Sequence, residues 1–183
     1  MDKDFFVQQM EIHGGMLYRV SLTILHDDDA CRDALQDAAL KAWEKRHSLR
    51  ELRFFRTWVT RILINACYDA LKRRRRIVSL EEIRESSAPP PDPALALALA
   101  RLPEKLRLPL VLCCSEGMTY QEAADALHVP VATVRGRIHR AKEMLRKELD
   151  DSPVRESDCV QSPSLARRAE NQRGGPRQEL DAE

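Results

Sequence analysis

The sequence predicts an all-α protein made of two small helical domains. Ala, Leu, Arg, Lys and Glu, which favour helices, dominate the 183 residues, and glycine occurs only six times. Apolar residues recur at helical spacing in several segments, whereas no long stretch alternates apolar and polar residues as a strand would. The hydrophobic share is 43% and the aromatic share only 5%, so the predicted cores are small and mainly aliphatic.

Three helices are predicted in the first 76 residues. The apolar positions of residues 2–25 follow a roughly helical period that Gly14 and Gly15 interrupt, which predicts one kinked helix or two abutting helices. Apolar residues at helical spacing predict a second helix over residues 30–46 and a third over residues 54–76. The third ends in five consecutive basic residues, which suit either a solvated helix end or a nucleic-acid contact.

A proline-rich segment predicts the boundary between the two domains. Four of the five residues 89–93 are proline, and serines and acidic residues precede them, so a helix cannot continue here. Near the other end of the chain, apolar residues become sparse and no period survives, which predicts disorder. The predicted organisation is a first domain over 1–76, a flexible linker over 77–93, a second domain over 94–150 and a disordered tail over 151–183.

The second predicted domain ends in a helix-turn-helix. Thr119 and Glu122 have the spacing of a capping box at the start of its first helix, and Pro130 suits the first turn of its second helix. Val134 and Ile138 repeat at helical spacing, while the basic side chains of this second helix face elsewhere. This pattern is typical of a helix that enters the major groove of DNA.

Basic charge is concentrated in two blocks, although the net charge of the whole chain is only +1. Residues 1–76 carry 15 basic and 11 acidic side chains, a net charge of +4, and residues 117–149 have a net charge of +2. Residues 77–116 and 150–183 are acidic, at −2 and −3. Because local basic patches are what nucleic acid recognises, both predicted domains are candidates for binding DNA.

An aromatic and basic cluster lies at the start of the third helix. Phe54, Phe55 and Trp58 are interspersed with arginines, a composition that suits a surface for unpaired bases. Stacking on an aromatic ring contributes roughly 1–3 kcal/mol per base, and arginine neutralises phosphates. The alternative is that the rings belong to the core, although three rings at these spacings cannot all face inward equally. Both interpretations stay open at this stage.

The cysteines and histidines predict neither a metal site nor an active site. Cys31, Cys67, Cys113, Cys114 and Cys159 show no paired metal spacing, and we expect idle thiols in a reducing cytosol, with a redox or metal switch at the adjacent pair as the alternative. No histidine lies at ligand spacing from a cysteine and no nucleophile motif occurs, so we expect no cofactor and no enzymatic activity. No apolar run reaches the roughly 18–20 residues that span a bilayer, so we expect a cytoplasmic protein without direct membrane insertion.

Three blocks of the sequence, in order, resemble the extracytoplasmic-function (ECF, group 4) sigma factors of the sigma-70 family. They are LQDAALKAWEKRHSL, FRTWVTRILINACYDALKRRRR and the segment from Leu99 to Leu149. The resemblance covers residues 5–150 and implies sigma region 2 in the first domain and sigma region 4 in the second. It implies a stress-response sigma factor that binds core RNA polymerase, recognises −35 and −10 promoter elements and helps to melt the −10 region. A one-component helix-turn-helix regulator that does not bind core polymerase is the alternative.

The resemblance also implies roles for individual residues. The residues implied to dock the clamp helices of the largest polymerase subunit are Asp33, Leu35, Gln36, Asp37, Lys41 and Trp43. Those implied to melt or recognise the −10 element are Phe54, Phe55, Trp58, Asn65, Asp69, Lys72 and Arg73. Those implied to face −35 base edges are Arg135, Gly136 and His139, and those implied to contact −35 phosphates are Thr133, Arg137 and Arg140.

The resemblance implies further partners and two departures from the family pattern. Besides promoter DNA and core polymerase, whose flap is the second docking point, it implies an anti-sigma factor, often membrane-anchored. His128 stands where glycine is common and predicts a left-handed residue in the turn, while Gly136 stands where serine is common and removes a hydroxyl contact. The sequence identifies neither the promoter nor the inducing signal.

Overall fold

The all-α prediction is confirmed by a computed structural model that describes residues 1–77 and 93–150. Within these two ranges the chain forms helices and short turns, and no strand. The helices are α1 (Lys3–Leu25), α2 (Asp28–Glu44), α3 (Phe55–Ile77), α4 (Pro93–Arg101), α5 (Glu104–Leu110), α6 (Tyr120–Leu127) and α7 (Val131–Asp150). The predicted linker, apart from its two end residues, and the predicted tail lie outside the described residues.

Helix α1 is a single helix that runs through Gly14 and Gly15, so the alternative of two abutting helices is wrong. A glycine in a helix interior costs about 1 kcal/mol relative to alanine, and burial of neighbouring side chains such as Leu17 and Val20 offsets that cost. The helix ends at His26, which adopts a left-handed conformation with φ 54° and donates its N–H to the carbonyl of Leu22.

Helices α1, α2 and α3 pack around an aliphatic core. Helix α2 contributes the small side chains of Ala34, Ala38 and Ala42, which let the neighbouring helices approach closely. Helix α3 contributes larger residues such as Val59 and Leu63, both fully buried. Each of these larger side chains stabilises the fold by roughly 1.5–3 kcal/mol relative to an exposed position.

Helices α4 to α7 form the second part of the described chain. Helix α5 tolerates Pro109 and continues into a π-helical turn, Val111–Ser115, where the N–H of Glu116 bonds to the carbonyl of Val111 at 3.0 Å. The α-helical pattern of α5 is therefore replaced at its end by a wider turn. Gly117, with φ 64°, then reverses the chain, and glycine adopts this left-handed conformation without strain.

The predicted helix-turn-helix is present as α6, a short turn and α7. Thr119 and Glu122 form the complete capping box, in which each side chain bonds to the backbone of the other residue. His128 in the turn has φ 55° and ψ 47°, the left-handed conformation expected of it. The buried side chains of α7 include Val134 and Ile138, at the positions that the helical spacing predicted.

The two helical groups pack against each other. Helix α3 contacts α6, and α1 contacts α5, so residues 1–77 and 93–150 lie in one compact unit. Buried residues of both groups belong to one continuous hydrophobic cluster. The packing brings the helix that carries the predicted −10 residues next to the predicted −35 reader.

Candidate nucleic-acid and polymerase interface

The outer face of α2 presents the polar members of the predicted polymerase-binding set. Asp33 and Gln36 are exposed, and Asp37 and Lys41 are half-buried at the edge facing α3. The two apolar members, Leu35 and Trp43, are also half-buried and pack against the hydrophobic core. The Trp43 ring lies 5.2 Å from that of Phe6, and the guanidinium of Arg46 lies over it at 4.3 Å.

Ion pairs connect the predicted polymerase-binding helix with the predicted −10 helix. Lys41 Nζ lies 3.7 Å from Asp69 Oδ2, and Arg73 Nη2 donates to Asp37 Oδ2 at 3.2 Å. All four side chains are between 38% and 59% exposed, so solvent screens both pairs and each contributes at most about 1 kcal/mol. The structure therefore brings these two predicted sites together through charges that are free to exchange partners.

The aromatic cluster at the start of α3 divides into inner and outer rings. Phe54 is 46% exposed and lies under the guanidinium of Arg53, at 4.7 Å from its ring centroid. Trp58 is half-buried, and its Nε1–H donates to Ser48 Oγ at 3.3 Å. An exposed ring beside an arginine is the arrangement that stacking on an unpaired base requires.

Phe55 belongs to the core instead. Its side chain is 1% exposed, and its ring packs edge-on against the rings of Phe5 and Phe6, at 6.2 and 5.9 Å between centroids. His13 stacks on its other side at 6.2 Å. The ring is therefore inaccessible to a base, which corrects the DNA-contacting role expected of Phe55. The helical geometry that exposes Phe54 turns the next residue inward.

The outward face of α3 carries the remaining predicted −10 residues. Asn65, Asp69, Lys72 and Arg73 are all exposed, about one helical turn apart. An open cleft of about 510 Å³ runs beside them. Its lining residues are Asn65, Tyr68, Asp69, Leu71, Lys72 and Glu104. Of the two acidic residues that line this cleft, Asp69 belongs to α3 and Glu104 to α5.

The outward face of α7 carries the predicted −35 residues. Arg135, Gly136, His139 and Arg140 are exposed, and Thr133 and Arg137 are half-buried. A Cβ added to Gly136 would meet no atom within 4 Å, so the fold does not require glycine there. These positions lie in the first half of α7, the part of a recognition helix that contacts base edges.

Sequence reasoning missed two sets of polar contacts where the two helical groups meet. One set joins Arg19 and Arg56 to Glu116, and the other joins Arg107 to the carbonyl of Thr23; Arg107 and Glu116 are buried. Arg56 is one of the arginines interspersed with the aromatic rings, and its guanidinium donates to the backbone carbonyl of Glu116. No local pattern marks these residues, because the partners are 60 to 97 positions apart in the chain.

The cysteines that the structure describes are free thiols. Cys31 and Cys67 are buried, and burial raises the pKa of the Cys67 thiol to about 12. Cys113 is half-buried and Cys114 exposed. Among residues 1–77 and 93–150, no group of histidine, cysteine and acidic side chains has a metal-binding arrangement. In the same ranges, none of the helices combines the length and the apolar character that crossing a membrane requires.

A helix-turn-helix beside a helix with exposed aromatic and basic side chains defines a DNA-binding protein of transcription. Comparison with family models identifies both parts. The model for sigma-70 region 2 matches residues 10–77, and the model for sigma-70 region 4 matches residues 93–145.

Individual relatives agree with these family matches. The chain is 28% identical to the ECF RNA polymerase sigma factor SigW of Bacillus subtilis, over 82% of this chain and 91% of that protein. It is 30% identical to the ECF RNA polymerase sigma factor SigM of Mycobacterium tuberculosis, over 81% of this chain and 79% of that protein. The chain therefore belongs to the sigma-70 family, within its ECF sigma factors.

Two solved structures share the fold. One is the sigma factor RpoE in complex with the anti-sigma factor NepR from Bartonella quintana, with a TM-score of 0.70 and 24% identity, covering 82% of this chain and 99% of that chain. The other is CnrH in complex with the cytosolic domain of CnrY, with a TM-score of 0.59 and 27% identity, covering 80% and 89%. The prediction of a sigma factor that directs promoter-specific initiation is confirmed, and the one-component regulator is not supported. The sigma-70 family is not a family of enzymes.

Proposed function

We propose that α7 recognises the −35 element through Arg135, Gly136 and His139, with Thr133, Arg137 and Arg140 on the flanking phosphates. The exposed face in the first half of α7 supports this assignment, because the buried stripe of Val134 and Ile138 leaves these side chains facing outward. An arginine that makes two hydrogen bonds to a guanine edge contributes roughly 1–3 kcal/mol of discrimination. The phosphate contacts set the register of the helix on the duplex.

The first helical group carries the −10 function. Phe54 and Trp58 stack on bases that leave the duplex, while Asn65, Asp69, Lys72 and Arg73 recognise the −10 element along α3. The observation that supports this division is the 46% exposure of Phe54 next to the fully buried Phe55. Extruding a base costs a few kcal/mol, and stacking on an aromatic ring offsets a large part of that cost without ATP.

Helix α2 docks core polymerase at the clamp helices of the largest subunit. Asp33, Gln36, Asp37 and Lys41 supply the polar contacts. Leu35 and Trp43 act from their half-buried positions by holding this face against the core. The functional division at the linker, with region 2 over 1–76 and region 4 over 94–150, follows from these assignments. An anti-sigma factor is a further partner, as in the RpoE structure, which holds the anti-sigma factor NepR. The protein acts in the cytoplasm.

Run-off transcription with purified bacterial core polymerase tests these assignments. The template is a pool of genomic fragments, and sequencing of the transcript 5′ ends identifies the promoters that the protein selects. We expect transcripts whose upstream regions share one −35 and one −10 sequence. Asp33→Ala should lower core binding, whereas Glu11→Ala, an exposed residue of α1 outside the proposed interface, should not. Transcripts without a shared upstream sequence would contradict the proposal.

A further inference from the structure

We propose that Gly136 determines part of the −35 specificity, because its missing side chain leaves a recess on α7 that takes the C5-methyl group of a thymine. The recess is the surface of Gly136 between the exposed side chains of Arg135, His139 and Arg140. This inference rests on the proposed assignment of α7 as the −35 reader. It deepens that assignment, since it names a base and the group on it that the helix recognises.

The fold itself does not require a glycine at the recess. Gly136 lies inside α7, and among the glycines that the structure describes only Gly117 has a positive φ. A Cβ added at Gly136 would meet no atom within 4 Å. Alanine would therefore fit without a clash and would favour the helix, because glycine is among the poorest helix formers. The only thing that a methyl group at this position can obstruct is a molecule that approaches α7 from outside.

The recess lies on the face of α7 that points away from the core. Ile138, on the opposite side of the helix, is 2% exposed and anchors α7 to the core. Residues three and four apart share one face of a helix, so His139 and Arg140 lie one turn from Gly136 on the same side. Gly136 is the sixth of the 20 residues of α7, and the N-terminal residues of a recognition helix are those that contact base edges. The recess is therefore placed to meet a base pair.

The floor of the recess is apolar. Glycine presents only the hydrogens of its Cα, and inside an α-helix its N–H and C=O groups are used by hydrogen bonds along the helix. Gly136 therefore offers DNA neither a donor nor an acceptor. A phosphate or a polar base edge placed against it would lose water without gaining a hydrogen bond, which is unfavourable. The recess consequently suits an apolar group.

Thymine is the base that carries such a group into the major groove. Adenine, guanine and cytosine present hydrogen-bond donors and acceptors there, whereas thymine presents a C5-methyl group beside its O4 acceptor. A Cβ at position 136 would occupy the space that this methyl group needs, so alanine would exclude it. The geometry thus predicts a thymine against Gly136 on one strand of the −35 element, next to the base pair that Arg135 contacts.

Adding a methyl group to the protein and removing one from the DNA test this fit. The variant is Gly136→Ala, and the matched control is Gly14→Ala. Gly14 also lies inside a helix, and a Cβ there likewise meets no atom within 4 Å, but it belongs to α1 and lies outside the proposed DNA contacts. The templates carry the −35 element selected in run-off transcription, with each thymine replaced in turn by deoxyuridine, which lacks only the methyl group. Competition between templates for the holoenzyme of core polymerase and the full-length chain measures relative affinity, and thermal denaturation of the free chain measures Tm.

We expect Gly136→Ala to bind the all-thymine template at least about fivefold more weakly than the wild type does. Replacing one particular thymine by deoxyuridine should restore most of this loss. The wild type should bind that same deoxyuridine template more weakly than the all-thymine one, since its recess is then unfilled. Both glycine variants should raise Tm by about 2–4 °C, and Gly14→Ala should match the wild type on every template.

Equal losses on the thymine and deoxyuridine templates, or no loss at all, would overturn the recess. A Tm of Gly136→Ala below that of the wild type would also overturn it, because the fold would then require the glycine. Arg135→Ala separates this inference from the assignment on which it rests. If Arg135→Ala loses affinity while Gly136→Ala shows no methyl-dependent loss, only the recess is wrong. If Arg135→Ala binds every template as tightly as the wild type, α7 is not the −35 reader and the proposed function fails.

Discussion

The faces of α3 and α7 that we propose to contact the promoter differ in how far the rest of the molecule engages them. On α7, Arg135 and Arg140 extend into solvent, and His139 Nε2 lies 3.5 Å from Glu143 Oε1 of its own helix. On α3, Asp69 and Arg73 pair with α2, and Glu104 borders the cleft. Helix α7 is therefore ready to enter a groove, whereas α3 has to exchange partners first.

The largest effect on stability is expected from the adjacent rings of Phe54 and Phe55, of which we propose that the first binds a base while the second is buried in the core. Phe55→Ala removes a fully buried ring and should lower the free energy of unfolding by about 3–5 kcal/mol. Phe54→Ala should change it by less than about 1 kcal/mol, since the residue is 46% exposed, but should impair opening of the −10 region. Urea denaturation measures the first effect, and permanganate reactivity of unpaired thymines in the promoter measures the second. Equal destabilisation by both changes would mean that the two rings do not have the separate roles described above.

The next effect concerns the freely exposed face of α7. Arg135→Ala should weaken binding by roughly 1–3 kcal/mol at one −35 position and less elsewhere, because it removes a base contact. Arg140→Ala, from the same face, should weaken binding about equally on all sequences and reduce its salt dependence. Competition with a set of single-base −35 variants in run-off transcription distinguishes the two patterns. A uniform loss for Arg135→Ala would make Arg135 a phosphate contact.

A smaller effect is expected from removing the ion pairs that α3 forms with α2. Asp69→Asn removes the partner of Lys41 and should change the free energy of unfolding by less than about 1 kcal/mol, since both side chains are substantially exposed. It should alter −10 selection more than Asp29→Asn does, because Asp29 pairs only weakly with Arg32, at 3.8 Å within α2. Thermal denaturation measures stability, and transcription from −10 variants measures selection. Identical selection by both variants would remove Asp69 from the −10 surface.

The smallest effect is a dependence of stability on pH. Arg107 Nη2 of the second helical group lies 2.6 Å from His26 Nε2 of the first. Desolvation of the ring, and then the charge of Arg107, lower the pKa of His26 in the folded protein, while Glu104 opposes them. The contribution of His26 to stability is therefore complete above its ordinary pKa of about 6.5 and is lost as the pH falls below that value. Thermal denaturation should show a modestly lower Tm at pH 5.5 than at pH 7.5. His26→Asn keeps a residue that tolerates the left-handed conformation and should reduce this difference. A difference of the same size in this variant would assign the effect to another group.

Local sequence patterns determined much of the fold and the position of the readers. The capping box at Thr119, the left-handed turn at His128 and the buried spacing of α7 are local features, because each depends on residues within a few positions of one another. The same reasoning placed Arg135 on an outward face. It left two alternatives open at Gly14 and Gly15, where packing of the neighbouring side chains outweighs the helix-breaking tendency of glycine and a single helix forms.

Tertiary structure alone decided which of two adjacent rings faces the solvent and how the two helical groups meet. Phe54 and Phe55 have the same chemistry, and only the packing of α1 against α3 buries one of them. The pair between Arg19 and Glu116 joins residues 97 positions apart, and no periodicity or motif reports such a contact. Local propensities determine helices and turns, whereas long-range contacts depend on the complementarity of surfaces that exist only after those helices have formed.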